Sequence, residues 1–220
     1  MNGKKLGIRL LYYFGGFFIM TIGIALSVKS NLGVSPVSSI PYTMTCVWGI
    51  EMGIATIIFH AILVLLQVIL MRRRFEIKNL LQIPVGVVFG AFTTACNSLA
   101  ALLPATDNIV IRVLMCWIAT IFVAVGIFFY VPADIMPLAG EGTMLAISTL
   151  TGKPFPSVKI AFDVSMVCIS LITCLLFLHG LGSVGIGTVI AALLVGVELK
   201  MVTHRFGAWR DKLLGRENVM

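Results

Sequence analysis

The sequence predicts an all-α, polytopic membrane protein of about six transmembrane helices. Hydrophobic residues make up 59% of its 220 residues and charged residues only 11%, whereas roughly a quarter of a soluble domain is charged. A soluble fold of this size could not bury so much apolar surface, so lipid must solvate much of it. At ~20 residues per crossing, the chain has room for six spans and short loops. We therefore predict a single membrane domain over residues 1–220.

Six apolar runs mark the predicted spans, and the basic residues between them predict the orientation. The runs cover residues 10–28, 52–70, 81–103, 109–131, 157–178 and 183–202. If the N-terminus is cytoplasmic, the cations on that side are Lys4, Lys5, Arg9, Arg72, Arg73, Arg74, Lys153, Arg205, Arg210, Lys212 and Arg216. Only Lys29 and Arg112 lie near the other face. The positive-inside rule thus predicts a multi-pass protein of a bacterial inner (plasma) membrane, with both termini and a tail over residues 205–220 in the cytoplasm.

The composition also restricts the partners and the chemistry. The net charge of +7 comes from these loop cations, without the aromatic and basic interleaving of an RNA-binding surface, so we expect the lipid bilayer and a small-molecule substrate as partners and no nucleic acid. The five cysteines stand singly and form no CxxC pair, which argues against a disulfide framework or a zinc site. HExxH, GxSxG and Walker-type motifs are absent from the sequence, so we predict neither an enzyme nor a cofactor. A homo-oligomer is left open.

Two connections are too apolar for solvated loops. Residues 30–50 and 133–155 are rich in Gly, Pro, Ser and Thr, and these breakers argue against a full-length helix. Each stretch contains a proline that suits the first turn of a helix, Pro36 or Pro137, and each ends near a glycine, Gly49 or Gly152. We predict two short, partly embedded or re-entrant helices, one at each face of the membrane.

These short helices belong to a predicted internal repeat. An offset of 103 residues aligns Gly23 with Gly126 and Gly49 with Gly152. An offset of 101 residues aligns Gly86 with Gly187 further along. The repeats cover residues about 8–104 and about 109–204, and each contains three spans, so the two halves should cross the membrane in opposite senses. Inverted repeats are typical of secondary transporters, whose sites lie where the halves meet, although a duplicated scaffold without transport is the simpler alternative.

Asp163, Lys159 and His60 are the first candidate site residues. A carboxylate inside a span is costly unless it faces a partner, the bundle interior or water, so we give Asp163 the leading role. Lys159 lies one turn earlier on the same face and either neutralises Asp163, binds a substrate carboxylate or extends to the membrane surface. His60 is the repeat mate of Asp163, and such a pair can carry a proton. A structural Lys159–Asp163 pair and a neutral core histidine are the alternatives.

The broken segments supply the remaining candidates. Glu141 lies between two glycines in the second segment, where it is either a site residue or a capping acid on a surface turn. Asn31 and Ser35 lie in the first segment, and if Ser35 caps the helix that begins at Pro36, the first amides of that helix can face an anionic group. Such polar side chains also often satisfy freed backbone groups.

Further polar and small residues receive structural interpretations. We interpret four groups near predicted helix ends as interfacial: Glu51, Glu198, Lys200 and His204. Small residues recur every four positions in the third run, including Gly86 and Gly90, and in the sixth run, including Gly187 and Ala191. Such stripes favour close helix packing and are candidates for the contact between the halves.

Three motifs resemble a known family. They are Ser27-Val-Lys-Ser-Asn-Leu-Gly-Val-Ser-Pro36, Lys159-Ile-Ala-Phe-Asp163 and Gly185-Ile-Gly-Thr188, and they resemble the YczE/YitT-type family of bacterial membrane proteins, especially its YczE-like branch. The resemblance covers nearly the whole chain. It implies a bacterial polytopic membrane protein and names no substrate.

The functional hypothesis is therefore a small secondary transporter or exporter of a polar or charged organic solute, such as an amino-acid-like zwitterion, with proton coupling at Asp163. Its site would lie between the halves. Three alternatives remain: a substrate-binding subunit similar to the S components of energy-coupling-factor importers, a channel, and a non-transporting membrane scaffold.

Overall fold

A computed structural model of the protein describes residues 3–214, with side chains from Leu6 onward. The described residues form eight α-helices and no strand. The helices are α1 (Gly3–Ser30), α2 (Pro36–Trp48), α3 (Met52–Met71), α4 (Gln82–Ala101), α5 (Ile109–Ala133), α6 (Ala139–Thr151), α7 (Phe155–Leu178) and α8 (Ile186–Leu213). Two short 3-10 turns, Arg72–Arg74 and Ile77–Leu81, connect α3 to α4. The predicted cytoplasmic side chains of Lys4, Lys5 and Arg216 lie outside the described part.

Six of these helices are long and apolar enough to cross a membrane, which confirms the predicted number of spans. They are α1, α3, α4, α5, α7 and α8. The twenty residues of α3 extend about 30 Å, the thickness of a bilayer core. Helix α8 differs from the prediction because it continues to Leu213. The first part of the predicted tail therefore continues the last helix.

Helices α2 and α6 are the two short helices. Each has 13 residues, which gives a length of about 20 Å, too short to cross a bilayer core. Helix α2 begins at Pro36 as predicted, whereas α6 begins at Ala139, two residues after Pro137. Both helices end at the predicted glycine, Gly49 or Gly152, in the left-handed conformation with φ of 67°.

The elements of the two halves share one register. The bounds of α2 and α6 differ by 103 residues at both ends. The last residues of α1 and α5, Ser30 and Ala133, also differ by 103. The residue after α1, Asn31, and the residue after α5, Asp134, both have a positive φ, 51° and 54°. This shared register is what the repeat predicts. The opposite orientation of the halves in the membrane stays a prediction.

Helices α1 and α5 form the central pair, and they approach each other through glycines. A Cβ atom at Gly16 would lie 2.8 Å from the carbonyl oxygen of Gly126, and one at Gly126 would lie 2.7 Å from the carbonyl oxygen of Gly16. Gly23 meets the backbone of Ala119 in the same way. The short helices α2 and α6 each pack against both α3 and α7. The fold thereby holds the first turns of α2 and α6 inside the bundle.

Candidate functional site

The first turn of α6 lies among buried tyrosines. Glu141 is on this turn and is partly buried beside the hydroxyl group of Tyr130. Tyr130 is 2% exposed, and its Oη atom has no hydrogen-bond partner. Tyr13 is 1% exposed and donates a hydrogen bond of 2.7 Å from Oη to the carbonyl oxygen of Met136. Burial raises the pKa of the Glu141 carboxyl group, because the charged form loses its hydration.

Lys159 and Asp163 form an ion pair on α7. The Nζ–Oδ2 distance is 2.6 Å, and the two side chains are 49% and 23% exposed. Asp163 Oδ1 has no hydrogen-bond partner. Lys159 also acts electrostatically on Glu141, so the structure brings together three of the predicted site residues. The pairing alternative for Asp163 therefore has direct geometric support.

Gln67 and Gln82 complete this region from the other side of α6. Each is 1% exposed. Gln67 Nε2 donates hydrogen bonds to Gln82 Oε1 at 2.8 Å and to the carbonyl oxygen of Ala139 at 3.2 Å. Both amides contact Gly142, because a Cβ there would lie 2.5 Å from Gln82 Nε2 and 2.9 Å from Gln67 Oε1. The sequence prediction did not include this pair, although an amide within an apolar run is a visible signal.

In the first half, the start of α2 lies beside a small cavity. Ser35 and Ser38 line it with Ser27, Thr120 and six apolar side chains, and it has room for about one water molecule. Ser35 occupies the N-cap position, but its hydroxyl group donates to Ser38 Oγ at 3.1 Å and caps no backbone amide. The condition that Ser35 caps α2 through its side chain is therefore not met.

A hydroxyl cluster fixes the next turn of α2. Ser170 Oγ donates to Ser39 Oγ at 2.9 Å, and Thr43 Oγ1 lies 2.6 Å from Ser183 Oγ. At the repeat offsets, Ser170 corresponds to Gln67, Ser183 to Gln82 and Ser39 to Gly142. The cluster at α2 therefore uses small hydroxyl groups where the cluster at α6 has two glutamines and a glycine.

Asn31 lies apart from these clusters. Its side chain is exposed, and its carbonyl oxygen accepts a hydrogen bond from Arg112 Nη2. Arg112 Nε donates to the carbonyl oxygen of Ser30 at 2.7 Å. Arg112 thus satisfies carbonyl groups at the end of α1 that have no partner within the helix.

His60 is buried at the contact between α3 and α4. Its ring stacks on Phe89 with a centroid distance of 5.6 Å and an interplanar angle of 13°. Gly86 lies so close that a Cβ there would be 2.9 Å from His60 Nδ1, an atom that makes no hydrogen bond. The neighbours of His60 therefore differ from those of its repeat mate, Asp163.

Glu198 occupies a position that the sequence reading missed. It is the thirteenth residue of α8, about 18 Å from the start of the helix. Its Oε1 atom accepts a hydrogen bond of 3.1 Å from Thr120, which also lines the cavity. Glu198 does not lie near the end of its helix as predicted, because α8 continues to Leu213; its interfacial position stays a prediction.

Comparison with known proteins identifies the family of the chain. Residues 7–204 match a family of unknown function, DUF6198. The chain belongs to this family. It is also 25% identical over 199 residues to a Bacillus subtilis (strain 168) protein described as the uncharacterized membrane protein YczE, covering 90% of this chain and 86% of that protein. The predicted YczE-like resemblance is thereby confirmed. No solved structure matches the chain. The descriptions of DUF6198 and of YczE name no substrate.

Proposed function

We propose that the protein is a small secondary transporter or exporter of a polar or charged organic solute. One observation carries the proposal: two helices too short to cross a membrane, α2 and α6, begin inside the bundle at corresponding positions of the two halves. Interrupted helices of this kind line the substrate and ion sites of many secondary transporters. A scaffold has no need to bury two helix N-termini among polar side chains.

The proposed site lies between the halves. Asp163, Lys159 and Glu141 contribute charges of both signs, and the first turns of α2 and α6 contribute free backbone amides. His60 is stacked on Phe89 at the contact between α3 and α4, and we assign it no contact with the solute. The amides and Lys159 suit a carboxylate, whereas the two acids suit an amine. An amino-acid-like zwitterion therefore fits this set of groups.

The first experiment is a ligand screen on the purified protein in detergent. A compound at a hundred times its Kd should stabilise the folded state by ~2.7 kcal/mol and raise the melting temperature. Wild type and Asp163→Asn are compared, with Glu76→Gln as the matched control. Glu76 is an exposed acid in the connection between α3 and α4, paired with Lys78. We expect a saturable shift that Asp163→Asn loses and Glu76→Gln retains.

A flux assay in liposomes then separates transport from the alternatives. Saturable, gradient-driven uptake of the compound supports the transporter. Tight binding without flux would indicate a substrate-binding subunit, and conductance without saturation would indicate a channel. If no compound shifts the melting temperature and Asp163→Asn only lowers it, Asp163 is structural and the scaffold is favoured.

A further inference from the structure

The region around Glu141 contains a buried polar group that the packing leaves without a partner. Tyr130 Oη is enclosed by protein and makes no hydrogen bond, although Glu141 is the neighbouring acid. A buried hydroxyl group without a partner costs roughly 1–3 kcal/mol. Its neighbour Tyr13 shows the ordinary solution, because its Oη donates to the carbonyl oxygen of Met136. The free hydroxyl group of Tyr130 therefore points to an interaction that forms in another state of the site.

Amide side chains and backbone amides surround the start of α6, where Glu141 lies. Gln67 and Gln82 are hydrogen-bonded to each other and contact Gly142, which closes one side of the helix start. The carboxyl group lies on the first turn of α6, where free amides and the helix dipole favour a negative charge. The helix start therefore stabilises the ionised form of the carboxyl group, whereas burial favours its neutral form.

Lys159 provides the compensating charge. It is paired with Asp163 at 2.6 Å, and it also acts on Glu141. When Glu141 is neutral, Lys159 and Asp163 balance each other. When Glu141 is ionised, Lys159 faces two carboxylates and Tyr130 Oη can donate to the new anion. The three charged groups and Tyr130 therefore define two protonation states of one cluster.

We propose that Glu141 binds and releases the coupling proton of the transporter, with Tyr130 as its hydrogen-bond partner and Lys159 as the cation that balances its ionised form. The proton adds to a carboxylate oxygen and leaves from it, and no other bond changes. This assignment rests on the proposed transport function and moves the proton from Asp163, the sequence-based choice, to Glu141. Asp163 already has a cation as its partner.

The surroundings of Glu141 agree with this assignment. The titratable and charged groups that act on it are Tyr13 of α1, Tyr130 of α5 and Lys159 of α7, and Lys159 is in turn paired with Asp163. Helices α3 and α4 contribute the neutral amides of Gln67 and Gln82, while His60 of α3 is turned to Phe89 of α4. Because burial raises the pKa of Glu141, its proton exchange moves from acidic pH towards neutral pH.

The test is infrared difference spectroscopy of the purified, full-length protein during a pH titration. A carboxyl group that takes up a proton in this range adds a C=O stretching band. We expect this band in wild type and in Asp163→Asn, and its loss in Glu141→Gln. A band that survives in Glu141→Gln and disappears in Asp163→Asn would overturn the proposal.

Tyr130→Phe provides a second test if Glu141→Gln does not fold. In the ionised state that we propose, Tyr130 Oη donates to the Glu141 carboxylate and lowers its pKa, so its removal should raise the midpoint of the band to higher pH. An unchanged midpoint would contradict the partnership, since a purely structural tyrosine would leave it in place. These spectra require no substrate. A titrating Glu141 without flux would refute transport alone, whereas flux without a Glu141 band would refute this proton site alone.

Discussion

The two halves of the molecule differ in how their last helices, α4 and α8, pack against the rest of the bundle. Helix α3 packs closely along α4, whereas α7 and α8 make almost no contact in the described part of the chain. A Cβ at Gly90 of α4 would lie 2.7 Å from the carbonyl oxygen of Gly53 of α3. Gly187 of α8, the repeat mate of Gly86, meets a different partner, because it packs against Leu32 and Gly33 before α2. One half therefore has its last two helices packed together, whereas in the other half α8 packs on α5 and its first turn reaches the segment before α2.

The side chains that fill the interior also differ between the surroundings of α4 and those of α8. Beside α4, four buried aromatic rings fill the space: Tyr13, Phe17, Phe89 and Tyr130. Beside α8, the corresponding positions of Phe17 and Tyr130 are Thr120 and Ser27, and these line the cavity. One framework of helices thus carries a filled interior and a partly open one. Under the transport proposal, such a difference can separate two access states, since a ligand shifts a population between states that it binds differently.

The largest expected effect tests the contact between α3 and α4. Gly90→Leu should destabilise the protein by more than about 3 kcal/mol, because the new side chain meets Ile57 and the backbone of Gly53, which cannot move away cheaply. The matched control is Gly196→Leu on α8, where a Cβ would meet nothing within 4 Å. Melting temperatures in detergent provide the measurement. Equal melting temperatures for the two variants would remove the packing difference on which the comparison depends.

A second effect compares the polar cluster at α6 with the hydroxyl cluster at α2. Gln67→Leu should cost about 1–3 kcal/mol, because it leaves Gln82 Oε1 without its donor, while the carbonyl oxygen of Ala139 still accepts from Thr143 Oγ1. Ser170→Ala should cost about 1 kcal/mol or less, because Ser39 Oγ still donates to the carbonyl oxygen of Pro36. Thermal unfolding of both variants checks the order, and a larger loss for Ser170→Ala would reverse it.

A third effect sharpens the contrast within the aromatic interior. Tyr13→Phe should cost about 1 kcal/mol, since it removes the hydrogen bond to Met136. Tyr130→Phe should leave the stability nearly unchanged or slightly improved near pH 5, because its hydroxyl group has no partner to lose. Thermal unfolding at one fixed pH measures both. Equal losses would show that Tyr130 Oη is already hydrogen-bonded.

The pH dependence of stability gives a smaller effect with a defined sign. The folded-state pKa of Glu141 is raised above its ordinary value of 4.5, so the folded state holds the proton more tightly than the unfolded state. Stability should therefore be highest below the ordinary pKa and should fall as pH rises through the raised one. Glu141→Gln should remove this part of the pH profile, while Glu76→Gln should leave it in place. A wild-type melting temperature that rises over this window, with no change in Glu141→Gln, would contradict the raised pKa.

The smallest effect concerns the ion pair on α7. A double-mutant cycle of Lys159→Gln and Asp163→Asn should give a coupling of about 0.5 kcal/mol, because both side chains are partly exposed. The coupling should also weaken with added salt. A coupling above about 2 kcal/mol would mean that the pair holds the fold together in the way that the α3–α4 contact does.

The membrane class, the six spans and the two short helices could be predicted because they depend on local sequence. Apolar runs indicate which segments lie in lipid. Pro36, Gly49 and Gly152 mark helix ends by their own backbone preferences. The exact start of α6 could not be predicted, since it is fixed by contacts of Ala139 with Gln67 on another helix. The position of Glu198 within α8 could not be predicted, because a helix can extend beyond its apolar run.

The candidate site was predictable in its residue types and not in its partners. Asp163, Lys159 and Glu141 stand out because charges are costly in a membrane. The spacing of Lys159 and Asp163 also predicts their pair, which lies within one helix. Tyr130 beside Glu141, Gln67 beside Gln82, and His60 against Phe89 join separate helices or distant turns. Such pairings depend on helix rotation and depth, which no local pattern contains.

The sequence by itself determined that this chain is a helical membrane protein with two short helices in a common register, because hydration and backbone preference act on each segment separately. Only the tertiary structure decided how the last helix of each half packs and which side chains surround Glu141. Gly90 and Gly187 are equivalent in type, yet one packs on α3 and the other on the segment before α2. The reason is that close packing depends on the volume of side chains from several helices at once, so Tyr130 and Phe17 fill the space that Ser27 and Thr120 leave open.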